Sequence, residues 1–86
     1  MKTKRLVYIN GNFVTEQDAK ISIFDSALMF GDMVFEMTRS FNGKQFKLRE
    51  HLERLYVGIK IFHIPINITI DQMEHACLNV IEKNKP

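Results

Sequence analysis

The apolar residues of this chain change their period near residue 48. Before that point they alternate with polar residues in short runs, and after it they recur every three or four positions. Alternation is typical of strands, and the longer period is typical of helices. The pattern predicts an α+β fold in which a small antiparallel sheet with hairpins comes first and two helices follow.

A first hairpin is predicted close to the N-terminus. Asn10 and Gly11 separate short apolar runs at residues 6–9 and 13–14, and Asn-Gly is the strongest short-range hairpin signal. Residues 19–24 carry two isoleucines and a phenylalanine, which predicts a third short strand. The first quarter of the chain is therefore expected to be mainly β-structure.

A second hairpin is predicted with a strand whose two faces differ. Residues 33–41 alternate, Asn42 and Gly43 supply a turn, and residues 44–48 return as the partner strand. One face of the first strand carries Met33, Phe35, Met37, Arg39 and Phe41, and the other carries Val34, Glu36, Thr38 and Ser40. The first of these faces is mostly apolar, so it is expected to line either the core or a cleft.

The helix predicted over residues 49–62 has apolar residues on two sides. At about 100° per residue, its core face consists of Leu52, Leu55, Tyr56, Ile59 and Phe62. The opposite side holds Arg54, Val57, Gly58 and Ile61. A helix of this kind is usually covered on both faces.

The second helix is predicted to begin at a capping box. The Thr69 hydroxyl and the Gln72 amide can satisfy free backbone donors at its start. Its apolar face consists of Met73, Ala76, Cys77, Val80 and Ile81, and it is predicted to end near Asn84.

Composition and charge exclude several classes of protein. The 86 residues, 45% of them hydrophobic, suffice for one domain with a small core. A net charge of +2, spread along the chain, argues against nucleic acid as a partner. No apolar run reaches the roughly 20 residues that cross a membrane. Cys77 is the sole cysteine, which fits a reducing compartment and leaves no cysteine set for a metal. We therefore expect a cytoplasmic protein with no membrane partner.

Arg54 is the residue that points most directly to a binding site. It lies in the middle of the predicted helix beside Val57 and Gly58, where a guanidinium needs an anionic partner. Glu50, one turn earlier, is that partner if the two form an ordinary ion pair between positions i and i+4. The alternative is the phosphate or carboxylate of a ligand, which could approach closely where Gly58 has no side chain.

Other polar residues are weaker candidates. Arg39 shares its predicted face with Phe35 and Met37, so it either binds a carboxylate in a cleft or extends its head from an edge into water. Four further residues are interpreted as packing, surface, turn or cap positions rather than catalytic groups: Asp25, Asp32, His51 and His63. The sequence contains no Ser-His-Asp set, P-loop or metal-ligand spacing.

Four segments together resemble the fold-type IV pyridoxal-phosphate enzymes. That group holds the branched-chain aminotransferases, the D-amino-acid aminotransferases and the aminodeoxychorismate lyases. The segments are YINGNFV (residues 8–14), AKISIFD (19–25), FGDMVFEMTRSFNG (30–43) and LREHLERL (48–55). Each is weak alone, but their combination at these spacings is specific and covers nearly the whole chain.

The resemblance implies a cofactor and a set of site residues. The group transaminates through a Schiff base between pyridoxal 5'-phosphate and an amino acid or 2-oxo acid substrate. Its arginine in the HLERL segment contacts the cofactor phosphate, and Arg54 occupies the matching position. Its strand after the FGD turn lines the substrate pocket, which makes candidates of Phe30, Phe35, Met37 and Arg39.

The resemblance also implies what lies outside these residues. The Schiff-base lysine of the group belongs to a larger second domain, and no lysine here matches it. Residues 1–86 are therefore expected to be the N-terminal small domain only, inactive alone and part of a homodimer. The expected parent exchanges amino groups between branched-chain amino acids and 2-oxoglutarate. The alternatives are a D-amino-acid aminotransferase or an aminodeoxychorismate lyase, which Phe30 favours, and a truncated non-catalytic interaction module.

Overall fold

Short strands come first and two long helices follow, which confirms the predicted α+β order. The computed structural model describes residues 5–41 and 44–85. Within these ranges the elements are β1 (Leu6–Ile9), β2 (Asn12–Thr15), a 3-10 helix (Glu16–Asp18), α1 (Ser26–Phe30), β3 (Ser40–Phe41), β4 (Lys44–Gln45), α2 (Leu48–Ile61) and α3 (Ile70–Lys83). The strands form two separate antiparallel ribbons, β1 with β2 and β3 with β4.

The first hairpin has the turn that its Asn-Gly pair predicts. Asn10 (φ 51°) and Gly11 (φ 83°) both lie in the left-handed region, as a two-residue turn between twisted strands requires. Tyr8 pairs with Phe13 across the ribbon, and their rings meet edge to face with centroids 5.2 Å apart. The turn and this cross-strand pair fix the register of the ribbon.

The other predicted strands are wrong or too long. Residues 19–24 form no strand, and of residues 33–41 only Ser40 and Phe41 are paired. The return strand of residues 44–48 is reduced to Lys44–Gln45, and the predicted Asn-Gly turn between them lies outside the described residues. A strand needs a neighbour that accepts and donates its ladder hydrogen bonds. The described part of the chain gives most of these segments no such neighbour.

The single helical turn of α1 is capped as predicted. The Asp25 carboxylate accepts a hydrogen bond of 2.9 Å from the Ala27 N–H. Gly31 ends the turn with φ 70°, a conformation that glycine adopts without steric cost. Asp25 is thus a cap residue, and the chain leaves α1 as an irregular segment, residues 31–39.

Helix α2 has one buried face and one open face. Leu52 and Ile59 are buried, in agreement with the predicted core face, and Leu48, which was predicted to end the return strand, is buried in the first turn of the helix. Phe62, predicted on the same face, lies just after the end of the helix at Ile61 and is exposed. The opposite side is covered only in part, since the large apolar residues Val57 and Ile61 are 57% and 64% exposed.

Helix α3 begins at the predicted capping box and packs against α2. The Thr69 side chain accepts from the Gln72 N–H at 3.1 Å, and the Gln72 side chain accepts from the Thr69 N–H at 2.8 Å. Across the helix pair, Arg49 donates to Asp71 at 2.7 Å and to Glu74 at 3.1 Å. One nitrogen of Arg49, Nη1, therefore links the first turn of α2 to two acids near the start of α3.

The end of α3 is joined to the edge of the first ribbon by one side chain. Asn84 accepts a hydrogen bond of 2.8 Å from the Leu6 N–H and donates one of 2.9 Å to the Leu6 carbonyl. The same amide donates to the Val80 carbonyl at 2.8 Å. An amide that both accepts from and donates to one residue imitates the neighbour that β1 lacks on that edge.

No helix in the described part of the chain has the length and apolar content needed to cross a membrane. The cytoplasmic location indicated by the sequence stays a prediction.

Candidate functional site

The site around Arg54 is built where the irregular segment of residues 31–39 crosses α2. Val34 packs against Gly58, and Glu36 contacts Arg54. Two residues of extended chain span roughly 6.6 Å, and four residues of helix rise about 6 Å. The two contacts are therefore in register, with the segment and the helix running in opposite directions. Gly58 matters here because its missing side chain leaves room for Val34.

The Glu36 carboxylate accepts hydrogen bonds from two side chains of α2. Arg54 Nε lies 2.9 Å from Oε2, and Arg54 Nη2 lies 2.8 Å from Oε1. His51 Nδ1 lies 2.8 Å from the same Oε1. Because an ionised carboxylate only accepts, the Nδ1–H of His51 is the donor in this contact. His51 and Arg54 reach one carboxylate since residues three apart lie on the same helix face.

The two ends of the Glu36–Arg54 pair differ in their contact with water. The Glu36 side chain is 17% exposed, whereas the Arg54 side chain is 71% exposed. Hydrogen bonds from Arg54 and then from His51 lower the pKa of Glu36 from 4.5 to about 2. The Glu36 hydrogen bond likewise raises the pKa of Arg54. At neutral pH the site thus holds an anion beneath a cation whose outer part faces solvent.

The expected environment of Arg54 needs correction in two respects. Its guanidinium is exposed rather than buried, and its partner is Glu36 rather than Glu50. Glu50 is exposed on the first turn of α2 and forms no ion pair with a described residue. Glu36 prevails because the Val34–Gly58 contact brings its segment onto the helix.

Three of the four predicted pocket residues share one open face of the irregular segment. Phe35 and Met37 are 75% and 77% exposed, and Arg39 is exposed as well. They alternate with Glu36, so they project from the side of the segment away from α2. Phe30, which is 75% exposed, lies apart from them in a groove of about 460 Å³ that Phe62 and His63 also line.

Glu36 and His51 are the site residues that reasoning from the sequence missed. The alternation of residues 33–41 places Glu36 on the face with Val34 and Thr38, whereas the predicted site residues of this segment lie on the apolar face. A lone carboxylate on the face that meets a helix was the available signal, because such a charge requires a partner. His51, interpreted as a packing or surface residue, is half-buried in a contact with that carboxylate.

Cys77 behaves as the small core residue that the sequence predicts. It is half-buried on α3 beside an apolar crevice of about 340 Å³ between the two long helices. Burial raises the pKa of its thiol, which keeps the thiol protonated and unreactive at neutral pH.

Comparison with known proteins gives consistent matches for this sequence and fold. The profile of a family described as "Amino-transferase class IV" matches residues 33–86. A provisionally named branched-chain-amino-acid aminotransferase of Methanocaldococcus jannaschii is 44% identical over 91% of the chain. A D-alanine aminotransferase of Staphylococcus epidermidis is 36% identical over 91% of the chain. The crystal structure of the Escherichia coli branched-chain amino acid aminotransferase superposes on 95% of the chain with a TM-score of 0.88 and 35% identity.

Each of these proteins is much longer than the aligned region. The chain spans 27% of the Methanocaldococcus protein, 28% of the Staphylococcus protein and 28% of the Escherichia coli structure.

Proposed function

Because this chain belongs to the amino-transferase class IV family, we propose that residues 1–86 are the N-terminal small domain of a pyridoxal-phosphate-dependent aminotransferase. The proposed reaction moves an amino group between a branched-chain amino acid and 2-oxoglutarate. The observation that carries the proposal is Arg54, a cation fixed at one edge by Glu36 and open to solvent at the other.

The exposed part of Arg54 fits a phosphate group. A guanidinium has five N–H donors, and the Glu36 carboxylate takes one from Nε and one from Nη2. The edge formed by Nη1 and Nη2 keeps donors suited to a bidentate contact with two phosphate oxygens. Arg54 would thus hold pyridoxal 5'-phosphate by its phosphate, and the bound cofactor would supply the electron sink for amino transfer.

The open face of the irregular segment suits a branched aliphatic substrate. Phe35 and Met37 offer apolar contact to a hydrocarbon side chain, and Arg39 offers a bidentate partner for a carboxylate. Phe30 is proposed as a fourth pocket residue, brought close only when the rest of the protein covers this face. The large exposed fractions of Phe30, Phe35 and Met37 support a covering partner.

Residues outside 1–86 complete the proposed enzyme. The lysine that joins the cofactor is proposed to come from a larger domain, so the isolated chain is expected to show no transamination. A second subunit is proposed to share the exposed apolar surface, as a homodimer. The small share of each relative that the chain spans supports this division.

Phosphate binding by the isolated chain tests the cofactor contact. Titration with pyridoxal 5'-phosphate should shift the side-chain NMR signals of Arg54 in the wild-type chain. Arg54→Ala should weaken binding by roughly tenfold or more, since a bidentate charged contact is lost. Lys60→Ala is the matched control, because Lys60 also gives α2 a positive charge and pairs with no described acid. An equal loss of affinity in both variants would show that the cofactor is attracted by the overall positive charge of α2 rather than bound by Arg54.

The substrate class is tested in the protein encoded by this segment together with the sequence after Pro86. Amino transfer to 2-oxoglutarate is measured with leucine, isoleucine and valine, and separately with D-alanine. Faster transfer from the branched-chain amino acids supports the proposal. Preference for D-alanine would favour the D-amino-acid alternative, which the Staphylococcus relative and Phe30 support. Formation of pyruvate and aminobenzoate from aminodeoxychorismate would identify the lyase.

A non-catalytic interaction module is a second candidate, favoured by the extent of exposed apolar surface. Ile23, Phe24 and Phe41 are 74%, 76% and 72% exposed in addition to the proposed pocket residues. Sedimentation of the chain distinguishes the candidates when it is combined with the titration above. A dimer that does not bind the cofactor would support the module and contradict the phosphate contact.

A further inference from the structure

We propose that Glu36 is a positioning residue for Arg54, which it aligns so that the Nη1–Nη2 edge of the guanidinium presents itself to a phosphate, and that His51 in turn orients Glu36. This inference rests on the proposed function of Arg54 as a phosphate contact. It adds two residues, Glu36 and His51, that would act without touching the ligand.

The geometry of the contact leaves a defined edge of the guanidinium open. Glu36 binds Arg54 side-on, through Nε and Nη2, at 2.9 and 2.8 Å. Two parallel hydrogen bonds to one planar group fix both its position and the orientation of its plane. An arginine side chain that is otherwise 71% exposed would sample many rotamers, and ordering it at the moment of binding would cost affinity. The Glu36 contact removes most of that freedom beforehand.

Glu36 is itself held from two directions. The His51 Nδ1–H donates to Oε1 at 2.8 Å, and the backbone of the segment is placed by the contact of Val34 with Gly58. Both His51 and Gly58 belong to α2, the helix that carries Arg54. The side chains of His51, Glu36 and Arg54 therefore form one series of contacts in which Glu36 lies between two residues of α2, and of the three only Arg54 is largely exposed to solvent.

Glu36 has an alternative role, in which it competes with the phosphate for Arg54. A carboxylate next to Arg54 neutralises part of its charge and repels a phosphate, so it could act as a competitor of the ligand. The two roles differ in the sign of one measurement. If alignment dominates, removal of the Glu36 charge weakens phosphate binding. If competition dominates, removal of that charge strengthens binding.

Glu36→Gln tests the inference in the 86-residue chain with inorganic phosphate and pyridoxal 5'-phosphate as separate probes. Glutamine keeps the shape of the side chain but loses the charge and one acceptor. Exchange of the Arg54 Nε–H with water is read by NMR before phosphate is added, and phosphate affinity is read afterwards. Glu50→Gln is the control, since it removes the same charge one turn from Arg54 without a contact to it.

We expect slow exchange of the Arg54 Nε–H in the wild-type chain and in Glu50→Gln, and fast exchange in Glu36→Gln. Phosphate affinity should fall about tenfold in Glu36→Gln, as when outer partners of a ligating side chain are removed, and should not fall in Glu50→Gln. His51→Ala should give a smaller loss of the same kind. Unchanged amide spectra establish that each variant is folded.

Two results overturn the inference. Unchanged or tighter phosphate binding by Glu36→Gln would make Glu36 a bystander or a competitor. In a wild-type chain whose dispersed amide spectrum shows that it is folded, exchange of the Arg54 Nε–H as fast as in free arginine would show that no edge of the guanidinium is held. A held Nε–H with no response of Arg54 to either probe would instead contradict the proposed function while supporting the Glu36 contact.

Discussion

Gly58 and Val34 pack so closely that a Cβ built on Gly58 would lie 3.2 Å from Val34 Cγ1. A methyl group at position 58 would thus meet the segment that carries Glu36. Glycine inside a helix costs about 1 kcal/mol relative to alanine. At position 58 this loss of helix stability accompanies the close approach of Val34 to the helix backbone. The contact explains why α2 contains a glycine at its centre.

Gly58→Ala is predicted to gain less than the full helix-propensity benefit, because Val34 must move by a few tenths of an ångström. In a Val34→Ala background, Cγ1 is absent and the gain should approach about 1 kcal/mol. Urea unfolding of the four proteins of this double-mutant cycle measures the difference. Additive effects of the two substitutions would show that the contact is not tight in solution.

Acid is predicted to weaken the link between residues 31–39 and α2. The folded-state pKa of Glu36 is about 2 and its ordinary value is 4.5, so its contribution is complete above pH 4.5 and is lost as the pH falls towards 2. Arg54 and His51 are the charged or titratable groups that face it. The stability advantage of the wild-type chain over Glu36→Gln should therefore shrink from pH 5 to pH 2 in thermal unfolding. An advantage that stays constant would contradict the assignment.

The two ion pairs of Arg49 with Asp71 and Glu74 are predicted to stabilise the α2–α3 pair in a salt-dependent manner. Its Nη1 lies 2.7 Å from Asp71 and 3.1 Å from Glu74, and these hydrogen bonds raise the pKa of Arg49. Arg49→Ala should lower the melting temperature at low salt, and the loss should narrow at 1 M salt, where the screening length is about 3 Å. Arg49→Lys keeps the charge but carries it on a shorter side chain whose ammonium does not occupy the position of Nη1, so an intermediate value is expected. Lys60→Ala, with no such partners, should have little effect at either salt concentration.

Asn84→Ala is predicted to destabilise the chain by about 1 to 3 kcal/mol, since the Leu6 N–H and carbonyl both lose a partner in a half-buried place. Amide hydrogen exchange at Leu6 should accelerate with it. Asn79→Ala, on an exposed turn of the same helix, serves as the control. Equal stability of the two variants would show that the contact with Leu6 does not contribute to the free energy of unfolding.

Local signals in the sequence predict local structure well in this chain. The Asn10–Gly11 turn, the Asp25 cap and the Thr69 capping box were all confirmed, because each depends on residues only a few positions apart. The strand of residues 33–41 was overestimated because alternation reports which faces differ, whereas a strand also needs a hydrogen-bonding neighbour. The alternation itself is real, since Val34, Glu36 and Thr38 are half-buried and their neighbours are exposed.

The candidate site was predicted only in part, because one of its residues is indicated by local sequence and the other by a contact between distant segments. Arg54 could be singled out from its helix position alone, but Glu36 is 18 residues away and its contact depends on how the segment crosses α2. Val34 and Glu36 are about as far apart along the extended segment as Gly58 and Arg54 are along the helix. This match indicates a site only once the segment and the helix are known to be in contact. Whether Arg54, Phe30, Phe35, Met37 and Arg39 bind cofactor and substrate stays a prediction.

The hydrogen bonds between Asn84 and Leu6 also affect the order in which the chain folds during its synthesis. The two residues are 78 positions apart, so β1 emerges from the ribosome long before its partner at the end of α3 exists. At roughly 5 to 20 residues per second of synthesis, that wait lasts several seconds, far longer than hairpin formation takes. During this interval β1 and β2 have only each other, and a lone two-stranded hairpin is marginally stable in water. The edge of β1 is therefore expected to be completed only after the end of α3 has been synthesised.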